Sequence, residues 1–89
     1  MAKLLVVDDE PDMVEMIKAA LESASHQVVV AYNGKEGVEK ARKEKPDAIV
    51  LDIMMPEKDG FATCKELKED PVCKDIPILI LTGVGERAA

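Results

Sequence analysis

The stretch IVLDIMMPEKDG, residues 49–60, places an aspartate directly after a short apolar run and before a loop with a proline and a glycine. The run AIVL (48–51) has no polar side chain, which is typical of a strand buried on both faces of a parallel sheet. A charge at the end of such a strand is costly unless something pairs with it. Asp52 is therefore open to three interpretations: a turn or cap residue, a metal ligand, or a reacting group.

Apolar runs and helical patterns alternate along the whole chain. The apolar runs are KLLVV (3–7), QVVVA (27–31), AIVL (48–51) and IPILIL (76–81), and the helical patterns are 8–24, 33–45 and 61–70. This βαβαβαβ alternation predicts an α/β fold with a parallel sheet and helices on both faces. A length of 89 residues allows one small domain.

Composition narrows the class of protein further. Twelve basic and eighteen acidic residues give a net charge of −6, which argues against direct nucleic acid binding because that function usually needs a basic face. No run approaches the roughly 20 apolar residues of a membrane span. Cys64 and Cys73 form no CxxC pair, so we expect reduced thiols in a cytoplasmic protein. The single histidine, His26, is expected at the surface.

Acidic residues follow two of the predicted strands at their carboxyl ends, where open parallel sheets bind ligands. Asp8 and Asp9 follow the first strand, Asp52 follows the third, and Thr82 follows the fourth. If the first and third strands are neighbours, the three carboxylates converge and repel one another. Mg²⁺, which prefers oxygen ligands, would resolve the repulsion. A carboxylate beside Mg²⁺ and an incoming phosphoryl group can act as a nucleophile and form an aspartyl phosphate.

Each of these residues also has a plainer interpretation. One of the acids from Asp8 to Glu10 is expected to cap the first helix, where an aspartate stabilises by about 1 kcal/mol. Thr82 alone could be an ordinary residue at the end of a strand. The chain contains neither GxGxxG nor GxxxxGK[ST], so the sequence gives no support to a nucleotide-binding loop.

Four segments together resemble the receiver domain of bacterial two-component response regulators. They match in order and spacing from Lys3 to Gly83 and read LLVVDDEPDM, AYNGKEGVE, PDAIVLDIMMPEKDG and IPILILTG. The resemblance implies a flavodoxin-like, three-layer αβα fold with strand order 2-1-3-4. It also implies a phosphoryl donor, the phosphohistidine of a sensor histidine kinase or a phosphotransfer protein. Receivers catalyse their own phosphorylation and slow hydrolysis.

The resemblance assigns a role to each matching residue. Asp52 would be the phosphoacceptor, and Asp9 would be a direct Mg²⁺ ligand, with Asp8 acting mainly through water. Met54 would give its backbone carbonyl to the metal. Thr82 would be the switch hydroxyl that turns toward the phosphoryl oxygens. The residues themselves leave Mn²⁺ open in place of Mg²⁺.

A complete receiver continues through a fourth helix, a fifth strand that ends in a lysine, and a fifth helix. The sequence stops eight residues after IPILIL, so we interpret residues 1–89 as a single receiver-like domain that is C-terminally incomplete. An open edge on the fourth strand could pair with another chain, which predicts a homodimer or a domain-swapped oligomer. Two other functions stay open: a fragment whose main property is self-assembly through this edge, and a metal-dependent phosphohydrolase that uses the same acid pocket and an aspartyl phosphate.

Overall fold

Strands and helices alternate in the computed structural model, which describes residues 1–52 and 60–81. In chain order the elements are β1 (Lys3–Val7), α1 (Pro11–Ser23), β2 (Gln27–Ala31), α2 (Gly34–Glu44), β3 (Ala48–Asp52), α3 (Gly60–Glu69) and β4 (Ile78–Leu81). All neighbouring strands are parallel, and their order in the sheet is β2-β1-β3-β4. The predicted α/β class and strand order are confirmed.

The central position of β1 and β3 in the sheet explains why the runs LLVV and AIVL are apolar throughout. Leu5 and Ile49 have no exposed surface, and Val6 and Val50, the next residue of each strand, are also buried. Successive side chains of a strand point to opposite faces, so a strand covered on both faces has no place for an exposed polar residue. After Lys3 at the start of β1, the next charged side chains of these two strands therefore appear at their carboxyl ends.

Helices cover the sheet on both faces, giving three layers. The larger core lies between the sheet and the side of the molecule formed by α2 and α3. Its buried members are Leu5, Val7, Ala31, Val38, Ala41, Ile49, Leu51, Leu67 and Cys73. Helix α1 packs against β1 and β2 and buries Val14, a residue outside that core. The sheet thus lies between two helical layers, with β1 and β3 at its centre.

Helix α2 begins with a reciprocal capping arrangement. The Asn33 side chain accepts a hydrogen bond from the Glu36 backbone N–H at 2.8 Å, and the Glu36 carboxylate accepts one from the Tyr32 N–H at 2.6 Å. Two backbone donors that the helix cannot satisfy are paired in this way. The helix ends at Glu44, and the next residue, Lys45, adopts the left-handed conformation with φ of 48°, a common way to terminate a helix.

Two details differ from the sequence-based expectations. Strand β4 begins at Ile78 rather than at Ile76, because the Ile76 N–H donates to the Cys73 carbonyl at 2.9 Å and Pro77 has no N–H to give to a strand ladder. His26 is half-buried rather than fully at the surface. Its Nδ1 accepts a hydrogen bond from the Ala2 N–H at 3.1 Å, which ties the segment before β1 to the segment before β2.

Strand β4 forms one edge of the sheet. Leu79 is 63% exposed and Ile80 is also exposed, as expected of an edge strand with no further strand beside it among residues 1–52 and 60–81.

Within those ranges, the structure contains no helix with the length and apolar character needed to cross a membrane.

Candidate functional site

The parallel pairing of β1 with β3 brings their following residues to one edge of the sheet. Val7 lies opposite Leu51 in the register of the two strands. The next residues along, Asp8 and Asp52, therefore lie side by side at this edge. Because ligands of open parallel sheets bind beyond the carboxyl ends of the strands, this edge is where a site is expected.

Three carboxylates meet at this edge and are called the acid cluster below: Asp8, Asp9 and Asp52. One carboxylate oxygen from each lies within 4.8 Å of the others. Asp8 is only 2% exposed, whereas Asp9 and Asp52 are half-buried. The predicted convergence is confirmed, and the cluster is buried on the Asp8 side and accessible to solvent at the other two carboxylates.

Backbone hydrogen bonds on two sides fix the position of Asp8. Its N–H donates to the Ala31 carbonyl of β2 at 3.1 Å, which extends the β1–β2 pairing by one residue. Its Oδ1 accepts from the Glu10 N–H at 3.0 Å, a turn typical of aspartate before a helix. The Asp8 side chain is therefore anchored at one oxygen, and the remaining oxygen is available to the acid cluster.

The expectation that one of these acids caps α1 with its side chain is wrong. The N-cap residue is Glu10, and its side chain makes no capping hydrogen bond. Pro11 occupies the first turn of α1 and has no N–H that needs a partner. The helix still starts in the ordinary way, because the Val14 N–H donates to the Glu10 carbonyl at 3.0 Å. Because neither Asp8 nor Asp9 caps the helix, both side chains can contribute an oxygen to the acid cluster.

The electrostatics of the acid cluster oppose full ionisation. Burial is the main cause that raises the pKa of Asp8 from its ordinary value of 3.8 to about 6. The hydrogen bond from Glu10 lowers this pKa, while the negative charge of Asp52, a hydrogen bond with Asp52 and the charge of Asp9 all raise it. Asp8 is therefore about half protonated near pH 6 and mostly neutral below that pH.

The donor set suits a hard divalent cation. Carboxylate oxygens are preferred ligands of Mg²⁺, which binds them at about 2.1 Å, so two ligands on opposite sides of the ion lie about 4 Å apart. The acid-cluster oxygens, all within 4.8 Å of one another, need only a small adjustment to share one ion. A cation would also compensate the like charges that raise the pKa of Asp8.

Two of the predicted site residues cannot be placed. Met54 and Thr82 lie outside the described ranges 1–52 and 60–81, so their roles stay predictions.

The sequence analysis did not identify two backbone groups that position Asp8, the Ala31 carbonyl and the Glu10 N–H. The signal for Glu10 was present in the sequence, since an aspartate two residues before an N–H and three before a helix-starting proline is a turn pattern.

Comparison with known proteins gives consistent matches along the chain. The family described as response regulator receiver domain matches residues 4–89. The transcriptional regulatory protein PhoP of alkaline phosphatase synthesis in Bacillus subtilis is 44% identical over 85 residues, which are 96% of this chain and 35% of PhoP. Protein PilH of Pseudomonas aeruginosa is 44% identical over 82 residues, covering 92% of this chain and 68% of PilH. The chain thus spans about a third of the one relative and two thirds of the other.

Solved structures agree with the fold. The N-terminal domain of a response regulator receiver protein from Methanoculleus marisnigri has a TM-score of 0.91 at 38% identity and matches 93% of this chain and 68% of that one. TrrA from Thermotoga maritima, solved in complex with Mg²⁺ and BeF, has a TM-score of 0.86 at 35% identity, over 93% of this chain and 70% of TrrA.

A third structure bears on the metal. The receiver domain of a sensor histidine kinase from Pseudomonas aeruginosa, with a magnesium ion coordinated in its active-site cleft, has a TM-score of 0.87 at 29% identity. The match covers 98% of this chain and 74% of that one. Together with the strand order, these likenesses confirm the predicted flavodoxin-like fold.

Proposed function

This chain belongs to the response regulator receiver domain family, and on that premise we propose that it accepts a phosphoryl group on Asp52 with Mg²⁺ bound at the acid cluster. The observation that carries the proposal is the convergence of three carboxylates from two strands within 4.8 Å. Residues serving only as turns or caps have no reason to be gathered in this way, because their mutual repulsion opposes it.

Asp52 is the nucleophile in this proposal. It is held at the end of a central strand and is half-buried, so a donor can approach from the solvent side. A carboxylate oxygen of Asp52 forms a bond to phosphorus while the bond from phosphorus to the donor breaks. With phosphohistidine the leaving group is imidazole, and with acetyl phosphate it is acetate. Water later attacks phosphorus, inorganic phosphate leaves, and the Asp52 carboxylate is restored.

Asp8 and Asp9 place two further carboxylates beside the nucleophile, where they can hold a metal ion. Asp9 is half-buried and would hold the metal directly, whereas Asp8 is deeply buried and anchored by Glu10, which suits a contact through water. When bound, Mg²⁺ would offset the negative charge on the transferring phosphoryl oxygens. Release of the Asp8 proton would accompany metal binding. The family resemblance further implies that the Met54 backbone carbonyl would bind the metal and that the Thr82 hydroxyl would turn toward the phosphoryl oxygens.

The phosphoryl donor is inferred from the family, the metal from the family and the acid cluster, and the location from the two free cysteines. We propose a sensor histidine kinase or a phosphotransfer protein as the partner, and the cytoplasm as the location. TrrA and the sensor kinase receiver, which this chain resembles, were both solved with magnesium, and this supports Mg²⁺ as the ion. Because the chain spans only 35% of PhoP, we assign no output pathway to it from that relative.

Phosphorylation by a small donor tests the proposal. The chain is incubated with Mg²⁺ and acetyl phosphate, and its intact mass is measured. We expect a gain of one phosphoryl group that disappears in Asp52→Asn and on removal of Mg²⁺ by a chelator. Asp75→Asn is the matched control because it removes an exposed aspartate outside the acid cluster, and it should be phosphorylated normally.

The other outcomes distinguish the alternatives. An unmodified wild-type chain, still folded and still able to bind Mg²⁺, would contradict phosphoacceptor function and leave self-assembly as the property to explain. Rapid turnover of unrelated phosphate esters would instead indicate the phosphohydrolase. A mass gain that persists in Asp52→Asn would place the phosphoryl group on another residue and overturn the role of Asp52.

A further inference from the structure

We draw no further inference here: the strongest candidate, the exposed apolar surface of Leu79 and Ile80 on the β4 edge, carries nothing because no observation in the described ranges shows what covers it.

Discussion

Replacing Asp8 by asparagine removes the buried charge of the acid cluster while keeping the shape of the side chain. The asparagine carbonyl can still accept the hydrogen bond that Asp8 receives from the Glu10 N–H at 3.0 Å. The amide group can donate to Asp52 much as a protonated Asp8 does. The variant therefore imitates the protonated carboxyl, and the difference in stability between the two proteins measures the cost of ionising Asp8 in the folded state.

The sign of this cost follows from the raised pKa. The folded protein holds the Asp8 proton more tightly than the unfolded chain does, so the contribution of Asp8 to stability is complete below pH 3.8 and is lost as the pH rises through about 6. One pKa unit corresponds to about 1.4 kcal/mol. The rise from 3.8 to about 6 therefore costs the wild type about 3 kcal/mol at neutral pH and roughly half of that at pH 5.

Urea unfolding of the metal-free protein measures the difference. We expect Asp8→Asn to be more stable than the wild type by about 3 kcal/mol at pH 7.5 and by roughly half of that at pH 5. Asp75→Asn controls for the loss of one negative charge, because the aspartate that it removes is exposed. Its difference from the wild type should change little over the same pH range.

Adding Mg²⁺ should narrow the difference in stability between the two proteins. A ligand present at ten times its Kd stabilises the folded state by about 1.4 kcal/mol, and we expect the wild type to gain this while Asp8→Asn gains less. If Asp8→Asn were no more stable than the wild type at either pH, or if the gap did not widen from pH 5 to pH 7.5, the burial and charge argument for the acid cluster would be refuted.

Three further measurements test other parts of the structure. The Asp70 carboxylate accepts from the Val72 N–H at 2.8 Å and pairs with Arg42 at 3.2 Å, so Asp70→Ala should cost about 1–3 kcal/mol. Arg42→Ala should cost less than about 1 kcal/mol because its side chain is 58% exposed; equal losses in urea unfolding would contradict this. Burial raises the pKa of the Cys73 thiol, so alkylation at pH 8 should modify Cys64 first and Cys73 only on unfolding. Sedimentation of residues 1–89 at tens of micromolar tests the homodimer or domain-swapped oligomer that the sequence predicts, and a compact monomer would contradict that prediction.

The sheet and the meeting of the acids could be predicted because both follow from simple regularities. The continuous apolar runs of β1 and β3 identify central parallel strands, and parallel strands end at the same edge. Placing Asp8, Asp9 and Asp52 together needed only that these two strands be neighbours. The start of β4 was missed because Ile76 is apolar like a strand residue, whereas its N–H is used by a turn with Cys73.

The environment of Asp8 could not be predicted from local sequence. Its burial depends on the packing of the whole sheet edge, and its anchors are the Ala31 carbonyl, 23 residues away, and the Glu10 N–H. The capping expectation failed for a related reason. A pattern of acids before a helix does not reveal whether their side chains turn toward the helix end or toward a cluster made with Asp52 on another strand.

Mapping the position of the phosphoryl group tests the central claim most directly. After incubation with acetyl phosphate and Mg²⁺, the chain is digested and its peptides are weighed with and without hydroxylamine, which cleaves acyl phosphates but not phosphate esters. We predict one modified peptide, the one that contains Asp52, with the modification lost in hydroxylamine. A hydroxylamine-resistant phosphate, or one on a peptide without Asp52, would contradict the account.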